Sequence, residues 1–460
     1  MYQVTDEKLQ PARGQVARPG ESRPESRTGW YAALLHAAII GALSLSWPDV
    51  TTAGPGPCIT AGTTVTCTGD QSAGIVSGTD FLAPPVTTLN VNSLTANITP
   101  ASGFPGISFQ NLGDVTINSN TGSYGITVTG ANASGIGAYS NFGNVAINNT
   151  GKITTLGAGS TGIDTGATIG AITITNTGMI SGGGDNSVGI NADGTHGFVN
   201  ASTISVVNYG TVTETGIGSN AVAIASNSGL ASFFNGATGV VAANGNNSVG
   251  VLVATCTDPS SSDCAPSPFA GNVDVHSLGR IQATGANSYG IFAAAFGGGN
   301  ININLGEGSV TLGGSGAKTF GLSPMGLFTG AAAIAILGGS GTTLTNAGTI
   351  TGASGQAILV VEGTYPFGSF VGANTAISNT ATGLIIGDIT LGAGNDTITN
   401  AGALTGNVDK GGGVNVLNNL AGGTFNTGPS VNLGAGNTLT NAGTLSPGRS
   451  GRDPDYGADR

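Results

Sequence analysis

The sequence predicts an all-β chain that folds as a right-handed parallel β-helix, a solenoid in which each coil of the chain stacks on the previous one. Short stretches with the period of a β-strand recur along the chain, and no long stretch has the 3.6-residue apolar period of a helix. Only 8% of the residues are charged and 82 of 460 are Gly. This composition favours stacked strands and tight turns over an ordinary globular domain.

The recurring unit is clearest in the stretch 171–190, AITITNTGMISGGGDNSVGI. Its isoleucines alternate with threonines, which predicts a strand with one apolar and one hydroxylated face. Asn176 and Gly178 predict a turn, because Asn and Gly tolerate a positive φ angle. A second strand is predicted to start at Met179 and a third at Val188.

Copies of this unit keep a regular spacing. The step between copies is 27 positions from Ile163 to Ile190 (190 − 163) and also from Ile224 to Val251 (251 − 224). A fixed unit with insertions at its turns is typical of a solenoid, since each unit buries its apolar face against its neighbours alone.

The spacing also predicts the size of the solenoid. Asn346 and Asn400 lie 54 positions apart (400 − 346), which predicts two steps of 27 between them. With ~24 residues per coil and ~4.8 Å per rung, the chain would form about 16 coils and a rod ~80 Å long. The crossover preference of parallel strands predicts the right hand.

The N-terminal segment predicts export. Residues 1–53 are a polar leader followed by the longest apolar run of the chain, WYAALLHAAIIGALSLSW at 30–47. The basic lead, apolar centre and small residues near position 53 are typical of a secretory signal peptide. The alternative is an uncleaved membrane anchor, since the run is close to the length that spans a bilayer.

The four cysteines form two local pairs, Cys58 with Cys67 and Cys256 with Cys264. No His lies near either pair, so two small disulfide loops in an exported protein are favoured over metal sites. Four unpaired thiols are the alternative.

The charge distribution argues against nucleic-acid binding. The net charge is −11, and between positions 54 and 448 the basic residues are Lys152, Arg280, Lys318 and Lys410. Four scattered cations cannot form a surface that neutralises phosphates.

Two insertions interrupt the repeat and are candidate contact sites, because loops on a rigid scaffold often carry binding. The first, Leu252 to Asn272, holds the second cysteine pair. The second, EGTYPFGSF, concentrates Tyr365, Phe367 and Phe370 in a chain with 5% aromatic residues. The alternative is that the insertions are merely tolerated and that the aromatic residues fill the core.

Catalytic and metal chemistry find little support, and no catalytic, cofactor-binding or metal-binding residue is predicted. Hydrolysis of a glycan requires clustered carboxylates. Asp164 with Asp185, or Asp388 with Asp409, could lie on neighbouring coils, although solvated turn residues are favoured. The stretch LGAGNDTI, which contains Asp396, resembles a single calcium-binding nonapeptide without the tandem partner that calcium needs.

Three features occurring in order resemble the passenger region of Gram-negative autotransporters. They are the opening CITAGTTVTCTGDQSAGI, the N-x-G-x-I and x-G-I repeat, and the closing LTNAGTLSPG, which together cover 54–448. The resemblance implies a β-helical passenger that passes periplasmic chaperones and reaches the cell surface through an outer-membrane β-barrel translocator. In the family a barrel follows the closing phrase, whereas here a charged tail, 449–460, follows and is expected to be disordered. This departure predicts a truncated or frame-shifted gene.

The sequence therefore predicts a surface-displayed or secreted passenger with a structural or adhesive role, and not an enzyme. Its expected partners are a host surface or glycan, or a second copy of the rod. Three alternatives stay open. They are a polysaccharide-acting hydrolase or lyase, a filamentous exoprotein with a separate transporter, whose Asn-Pro-Asn signature is absent, and a non-functional truncated autotransporter.

Overall fold

The computed structural model describes residues 56–78, 86–194, 203–255, 271–296, 298–320, 329–365, 368–370 and 372–447, without the side chains of 77–78 and 363–370. The regular secondary structure of these residues consists of strands, and among them no helix is long and apolar enough to cross a lipid bilayer. The predicted fold class, a parallel β-helix, is confirmed. The predicted leader (1–53) and tail (449–460) lie outside the described residues.

The N-terminal third of the rod has short strands. They are β1 (Cys58–Ala61), β2 (Thr64–Gly69), β3 (Ile75–Gly78), β4 (Thr88–Leu94), β5 (Ile107–Asn111), β6 (Val115–Ser119), β7 (Gly125–Val128), β8 (Ser134–Ser140), β9 (Val145–Asn149), β10 (Lys152–Thr155), β11 (Thr161–Ala167), β12 (Ile172–Asn176), β13 (Met179–Gly182) and β14 (Val188–Gly194). The three strands predicted for the central unit are confirmed as β12, β13 and β14.

The middle of the rod repeats the same three-strand coil. Its strands are β15 (Ile204–Asn208), β16 (Thr211–Glu214), β17 (Asn220–Ser226), β18 (Ala231–Asn235), β19 (Val240–Ala243), β20 (Val249–Thr255), β21 (Val273–Ser277), β22 (Arg280–Ala283), β23 (Tyr289–Ala295), β24 (Asn300–Leu305), β25 (Val310–Gly313) and β26 (Ala332–Gly338). Leu252, placed by the sequence analysis at the start of a loop, is instead a buried residue of β20.

The C-terminal part contains longer strands. They are β27 (Gly341–Asn346), β28 (Thr349–Val361), β29 (Gly363–Tyr365), β30 (Gly368–Phe370), β31 (Asn374–Asn379), β32 (Leu384–Thr390), β33 (Thr397–Asn400), β34 (Ala403–Asp409), β35 (Val416–Asn419), β36 (Thr424–Asn432), β37 (Thr438–Asn441) and β38 (Thr444–Ser446). Two pairs are antiparallel hairpins that the sequence analysis did not anticipate, β1 with β2 and β29 with β30.

The strands form three rows along the rod. The first row is a 15-stranded sheet in which β1 is antiparallel and the other fourteen strands, from β2 to β37, are parallel, one from each coil. The rod therefore has fewer coils than the predicted 16. The second row contains β7, β10, β13, β16, β19, β22 and β25, and the third contains β5, β8, β11, β14, β17, β20, β23 and β26. From β28 onward a single strand per coil continues both rows, because β28 pairs with β25 and with β26 and is followed by β32, β34 and β36.

Inward-pointing aliphatic side chains from all three rows form one continuous core. In the central coil Ile174, Ile180 and Ile190 come from the first, second and third rows, and each is fully buried. Burying one such side chain stabilises the fold by roughly 1.5–3 kcal/mol. The core is therefore a stack of equivalent contributions, one set per coil.

Coil length varies along the rod. Equivalent turn residues of neighbouring coils are 27 to 42 positions apart in the middle and 19 to 22 near the C-terminal end. The two steps predicted between Asn346 and Asn400 are not equal, because Asn379 divides them into 33 and 21 positions. The predicted step of 27 from Ile224 to Val251 was also wrong, since Val251 pairs with Val222, 29 positions earlier (251 − 222).

The sequence predicted that the turn after the first row depends on positive φ angles, and this prediction was wrong. Neither Asn176 nor Gly178 is among the described residues with positive φ. A Cβ on Gly178 would instead lie 2.0 Å from the carbonyl oxygen of Gly151 in the previous coil. Glycine is required there because successive turns touch through their backbones.

A buried ladder of amides connects these turns. The Asn176 side chain accepts a hydrogen bond from Asn149 Nδ2 (2.8 Å) and donates one to Asn208 Oδ1 (2.9 Å). The same contact recurs from Asn379 to Asn400 (2.7 Å). Each amide thus replaces the water that the buried turn excludes.

From β11 to β26 the third row is almost entirely buried on both faces. Its outward side chains become apolar toward the C-terminal end, where Leu252, Phe292 and Leu359 stack in register within a second apolar cluster. Phe296 and Phe320 pack against this cluster. The first and second rows are consequently the ones that offer outward side chains to solvent along the rod, for example Asn148 in the first row and Met179 in the second.

Candidate binding site on the outer face of the first row

The outward side chains of the first row form two columns, which we call the outer face. Residues immediately before the turn position make the first column: Thr66, Asn90, Asn118, Asn148, Thr175, Val207, Phe234, His276, Asn304, Thr345, Ser378, Thr399, Asn418 and Thr440. The second column lies two residues earlier: Thr64, Thr88, Thr116, Ala146, Thr173, Ser205, Ser232, Asp274, Asn302, Thr343, Ala376, Thr397, Val416 and Thr438. Hydroxyls and amides predominate because threonine and asparagine fit an exposed, pleated surface without charge.

Near its N-terminal end, neighbouring asparagine side chains of the outer face hold one another. Asn148 Nδ2 donates to Asn118 Oδ1 (2.8 Å), and Asn118 Nδ2 donates to Asn90 Oδ1 (2.8 Å). Parallel, in-register strands place identical side chains one rung apart, so an amide can bond to the next amide. On these three rungs the face is therefore an ordered array of donors and acceptors.

One segment of the outer face is aromatic, and we call Tyr209, Phe234 and His276 the aromatic patch. The Phe234 ring makes edge contacts with Tyr209 (centroids 5.9 Å apart, planes at 63°) and with His276 (5.1 Å, 87°). Tyr209 is 45% exposed, and the other two rings are partly exposed. Edge-to-face contact is a favourable geometry for aromatic pairs.

The fold positions these rings on three successive rungs. Phe234 lies in β18 and His276 in β21, in direct register, while Tyr209 follows the last residue of β15. A Cβ on Gly236 would lie 2.3 Å from Tyr209 Cδ1, so the absence of a side chain at Gly236 leaves the space that the tyrosine ring occupies.

Polar groups border the patch. Ser232, Asp274 and Asn302 follow one another in register in the second column, and Asn304 follows His276 in the first. Asn302 and Asn304 are exposed. Within the two columns of the described outer face, Asp274 is the only Asp, Glu, Lys or Arg.

A second polar cluster, on the third row, is enclosed. Asp164 accepts hydrogen bonds from Asn191 Nδ2 (2.9 Å) at Oδ1, and from the Tyr139 hydroxyl and Ser134 at Oδ2. Burial raises the pKa of Asp164 despite these bonds, and Asp193 raises it further. Burial and the nearby Asp164 raise the pKa of Tyr139 well above its usual value.

This enclosed cluster is better explained as structural than as catalytic. Asp164 is 7% exposed and Asp193 is 2% exposed, so a polymeric substrate has no route to the pair. Both oxygens of Asp164 also have hydrogen-bond donors. The partner that the sequence analysis suggested, Asp185, instead accepts from the backbone N–H of Ile217 in an exposed turn.

The other carboxylate pair that the sequence suggested is also not assembled. Asp388 binds Lys318 through a salt bridge of 2.7 Å and accepts from Asn407 Nδ2 (3.0 Å). Asp409 lies opposite Thr390 and accepts from Asn432 Nδ2 (2.9 Å). The Lys318 and Asn407 bonds outweigh burial and lower the pKa of Asp388.

Asp396, in the stretch compared with a calcium loop, belongs to a buried turn. Its Oδ1 accepts from the backbone N–H of Thr375 (2.8 Å), and Lys410 Nζ donates to its carbonyl oxygen (2.7 Å). Burial raises the pKa of Asp396 to about 6 and lowers that of Lys410 to about 8. The cation at this turn is thus a lysine ammonium, and the described residues contain no group of three or more potential metal ligands.

Only some of the remaining predicted site residues are among those that the structure describes. Cys58 and Cys67 form a disulfide that joins β1 to β2, while Cys256 and Cys264 lie outside the described residues. Tyr365 and Phe370 lie in the β29–β30 hairpin, and Phe367 is outside the described residues. Both strands of this hairpin belong to the predicted contact segment.

The aromatic patch was missed because its residues are far apart in sequence. Each of them nevertheless adjoins the turn position of its coil: Phe234 precedes Asn235, His276 precedes Ser277 and Tyr209 follows Asn208. Alignment of the coils on that position would have brought the three rings together.

Comparison of the chain with known protein families, with characterised proteins and with solved structures gave no match.

Proposed function

We propose that the chain is an exported β-helical passenger of the autotransporter type, displayed at the cell surface in a structural or adhesive role. The outer face of the first row is the observation that carries this proposal. It runs through fourteen coils of the described chain, carries mainly hydroxyl and amide groups, and contains one aromatic patch and one acidic residue, Asp274. A long surface of mainly uncharged polar groups suits contact with an extended partner.

The passenger assignment rests on the sequence as well as on the fold. The apolar segment at 30–47 and the local cysteine pairs support export, and the repeat supports passage as an extended chain followed by coil-by-coil folding. Residence at the cell surface and contact with a translocator and periplasmic chaperones follow from the same resemblance.

A non-enzymatic role is part of the proposal. The cluster around Asp164 is the strongest catalytic candidate of the described residues, and its carboxylates are enclosed and hydrogen-bonded. The exposed outer face offers no pair of carboxylates, since Asp274 stands alone among its described residues. Binding is therefore the activity that the accessible groups favour.

The experiment is antibody labelling of intact cells of the organism that carries the gene, before and after permeabilisation. A periplasmic protein serves as the negative control, and a strain without the gene is compared for attachment to surfaces. We expect labelling without permeabilisation and weaker attachment of the deletion strain. Labelling that requires permeabilisation would exclude display, and unchanged attachment would exclude the adhesive role.

A further inference from the structure

We propose that the aromatic patch of Tyr209, Phe234 and His276, with the amides beside it, is a binding platform for a neutral polysaccharide. This inference rests on the proposed role of the outer face as a contact surface, and it assigns the class of ligand. The shape, the chemistry and the charge of the patch each support it.

The shape fits a linear chain of sugar rings. Three rings on successive rungs cover ~10 Å along the rod, since neighbouring rungs are ~4.8 Å apart. The outer face continues beyond them on both sides, because the strands of the first row stay in register before Tyr209 and after His276. An extended polymer lying along the rod can therefore contact the patch at its centre and the polar columns at either end.

The chemistry matches both faces of a sugar. Aromatic rings offer an apolar surface to the C–H groups of a pyranose while leaving its edge in contact with water and polar groups. Asn302 and Asn304 lie exposed beside the rings, and Asn and Ser side chains can donate to or accept from sugar hydroxyls. The rings can therefore contact the C–H groups of a sugar while the neighbouring amides form hydrogen bonds with its hydroxyl groups.

The charge of the face selects a neutral ligand. No Lys or Arg occurs in the two columns of the described outer face, and the one permanent charge, Asp274, is negative and adjoins the patch. A sulfated or carboxylated polysaccharide would find no Lys or Arg in these columns and would meet the carboxyl group of Asp274 beside the rings. The same lack of charge disfavours an acidic protein.

The platform is preorganised. Tyr209 is seated over Gly236, and Phe234 is held between Tyr209 and His276, so little side-chain freedom remains to be lost on binding. Cross-strand packing alone would also explain contact among the rings, and the experiment must therefore separate binding from stability.

The variants replace each ring by threonine, singly and together: Tyr209→Thr, Phe234→Thr and His276→Thr. Threonine occupies the first column at Thr175 and the position equivalent to Tyr209 in the preceding coil at Thr177. The matched control is Phe142→Thr, which removes an aromatic ring that is 68% exposed and lies outside the first row. The full chain is purified and tested against immobilised neutral glucans, galactomannan and chitin, with heparin and polygalacturonate as anionic comparators. Unfolding midpoints and sedimentation are measured in parallel.

We expect saturable binding to at least one neutral polysaccharide, weakened at least tenfold by Phe234→Thr and unchanged by Phe142→Thr, with no binding to the anionic polymers. Binding to none of the neutral polymers, equal binding by the triple variant, or binding confined to the anionic polymers would overturn the inference. Self-association that only the triple variant abolishes, without glycan binding, would show that a second copy covers the patch. These outcomes are independent of intact-cell labelling, so either proposal can fail alone.

Discussion

Glu214 shows how a single residue makes the rod sensitive to pH. It ends β16 and points into the core, where it is fully buried and its Oε2 accepts a hydrogen bond from the Ser187 hydroxyl. Gly182, its partner in the neighbouring coil, leaves the space that the carboxyl group fills. Burial raises the pKa of Glu214 to about 8, so the folded chain holds a neutral carboxylic acid near pH 7.

Replacement of Glu214 by Gln should stabilise the rod at high pH. Because the folded pKa (about 8) exceeds the ordinary value of 4.5, unfolding releases a proton between these limits, and stability falls as pH rises from 4.5 to 8. Gln keeps the shape and cannot ionise. We expect Glu214→Gln to match the parent at pH 4.5 and to exceed its free energy of unfolding by about 3–5 kcal/mol at pH 9.

Urea unfolding at the two pH values measures this difference. Glu307→Gln is the control, since Glu307 is exposed in a turn, and it should change stability little at either pH. An effect of Glu214→Gln that is equal at pH 4.5 and pH 9 would contradict the assignment of the raised pKa to this residue.

At the scale of the structural element, the turns between rows determine how closely coils stack. A Cβ on Gly184 would lie 1.9 Å from the carbonyl oxygen of Gly157, whereas a Cβ on Gly183 would meet only Thr215 Oγ1, at 3.8 Å. Gly184→Ala should therefore force neighbouring coils apart and cost at least about 2 kcal/mol. Gly183→Ala should be nearly neutral. Thermal unfolding of the two variants compares them, and equal losses would show that close backbone approach is not the reason for Gly184.

The asparagine ladder gives a second prediction for the turns. Asn176→Ala removes the acceptor of Asn149 and the donor to Asn208 in a buried turn, and should cost about 2–4 kcal/mol. Thr173→Ala, an exposed change on the same strand, should cost less than about 0.5 kcal/mol. Unfolding in denaturant distinguishes the two, and a cost below 1 kcal/mol for Asn176→Ala would mean that water replaces the amide.

The sequence predicted the strands well because period two and the repeat agree. It could not predict which residues pair between coils: Val222 and Ile224 point to the same side of β17, so a slip of two residues leaves the apolar pattern unchanged. The role of Asn176 could not be predicted either. An asparagine at a turn can bond to the next coil through its side chain or adopt a positive φ angle, and the sequence does not distinguish the two.

At the scale of the whole molecule, the N-terminal end of the rod is closed by a hairpin. β1 pairs antiparallel with β2 and is tied to it by the Cys58–Cys67 disulfide, which covers the strand edge that would otherwise be open. The described C-terminal strands β37 and β38 are largely exposed.

Removal of the disulfide should loosen this end alone. In the variant Cys58→Ser/Cys67→Ala, we expect amide exchange in β2 to accelerate at least tenfold while exchange in β33 and β35 stays unchanged, because coils contact only their neighbours. Hydrogen exchange with mass spectrometry provides both readings in one experiment. Faster exchange throughout the rod would show that it unfolds as one cooperative unit.

The candidate site could be predicted less well than the fold. The sequence predicted contact sites in the insertions, including the one with Tyr365 and Phe370, because loops commonly carry binding residues. The aromatic patch instead arises from stacking: Phe234 and His276 are neighbours only because the insertion between their strands leaves the rung register intact. Proximity of this kind is set by the solenoid and not by local sequence.

The asparagine ladder has a consequence for how such a chain changes over evolutionary time. Removal of residues 150–176, one complete unit of 27, would join Asn149 to Thr177 and leave the next amide, Asn208, as its new neighbour. Each of the three rows would lose one strand, and the two strands on either side of the gap would become neighbours. Duplication or deletion of such whole units changes the number of coils, while the packing within each coil stays the same. The length of the rod can therefore change more easily than its cross-section.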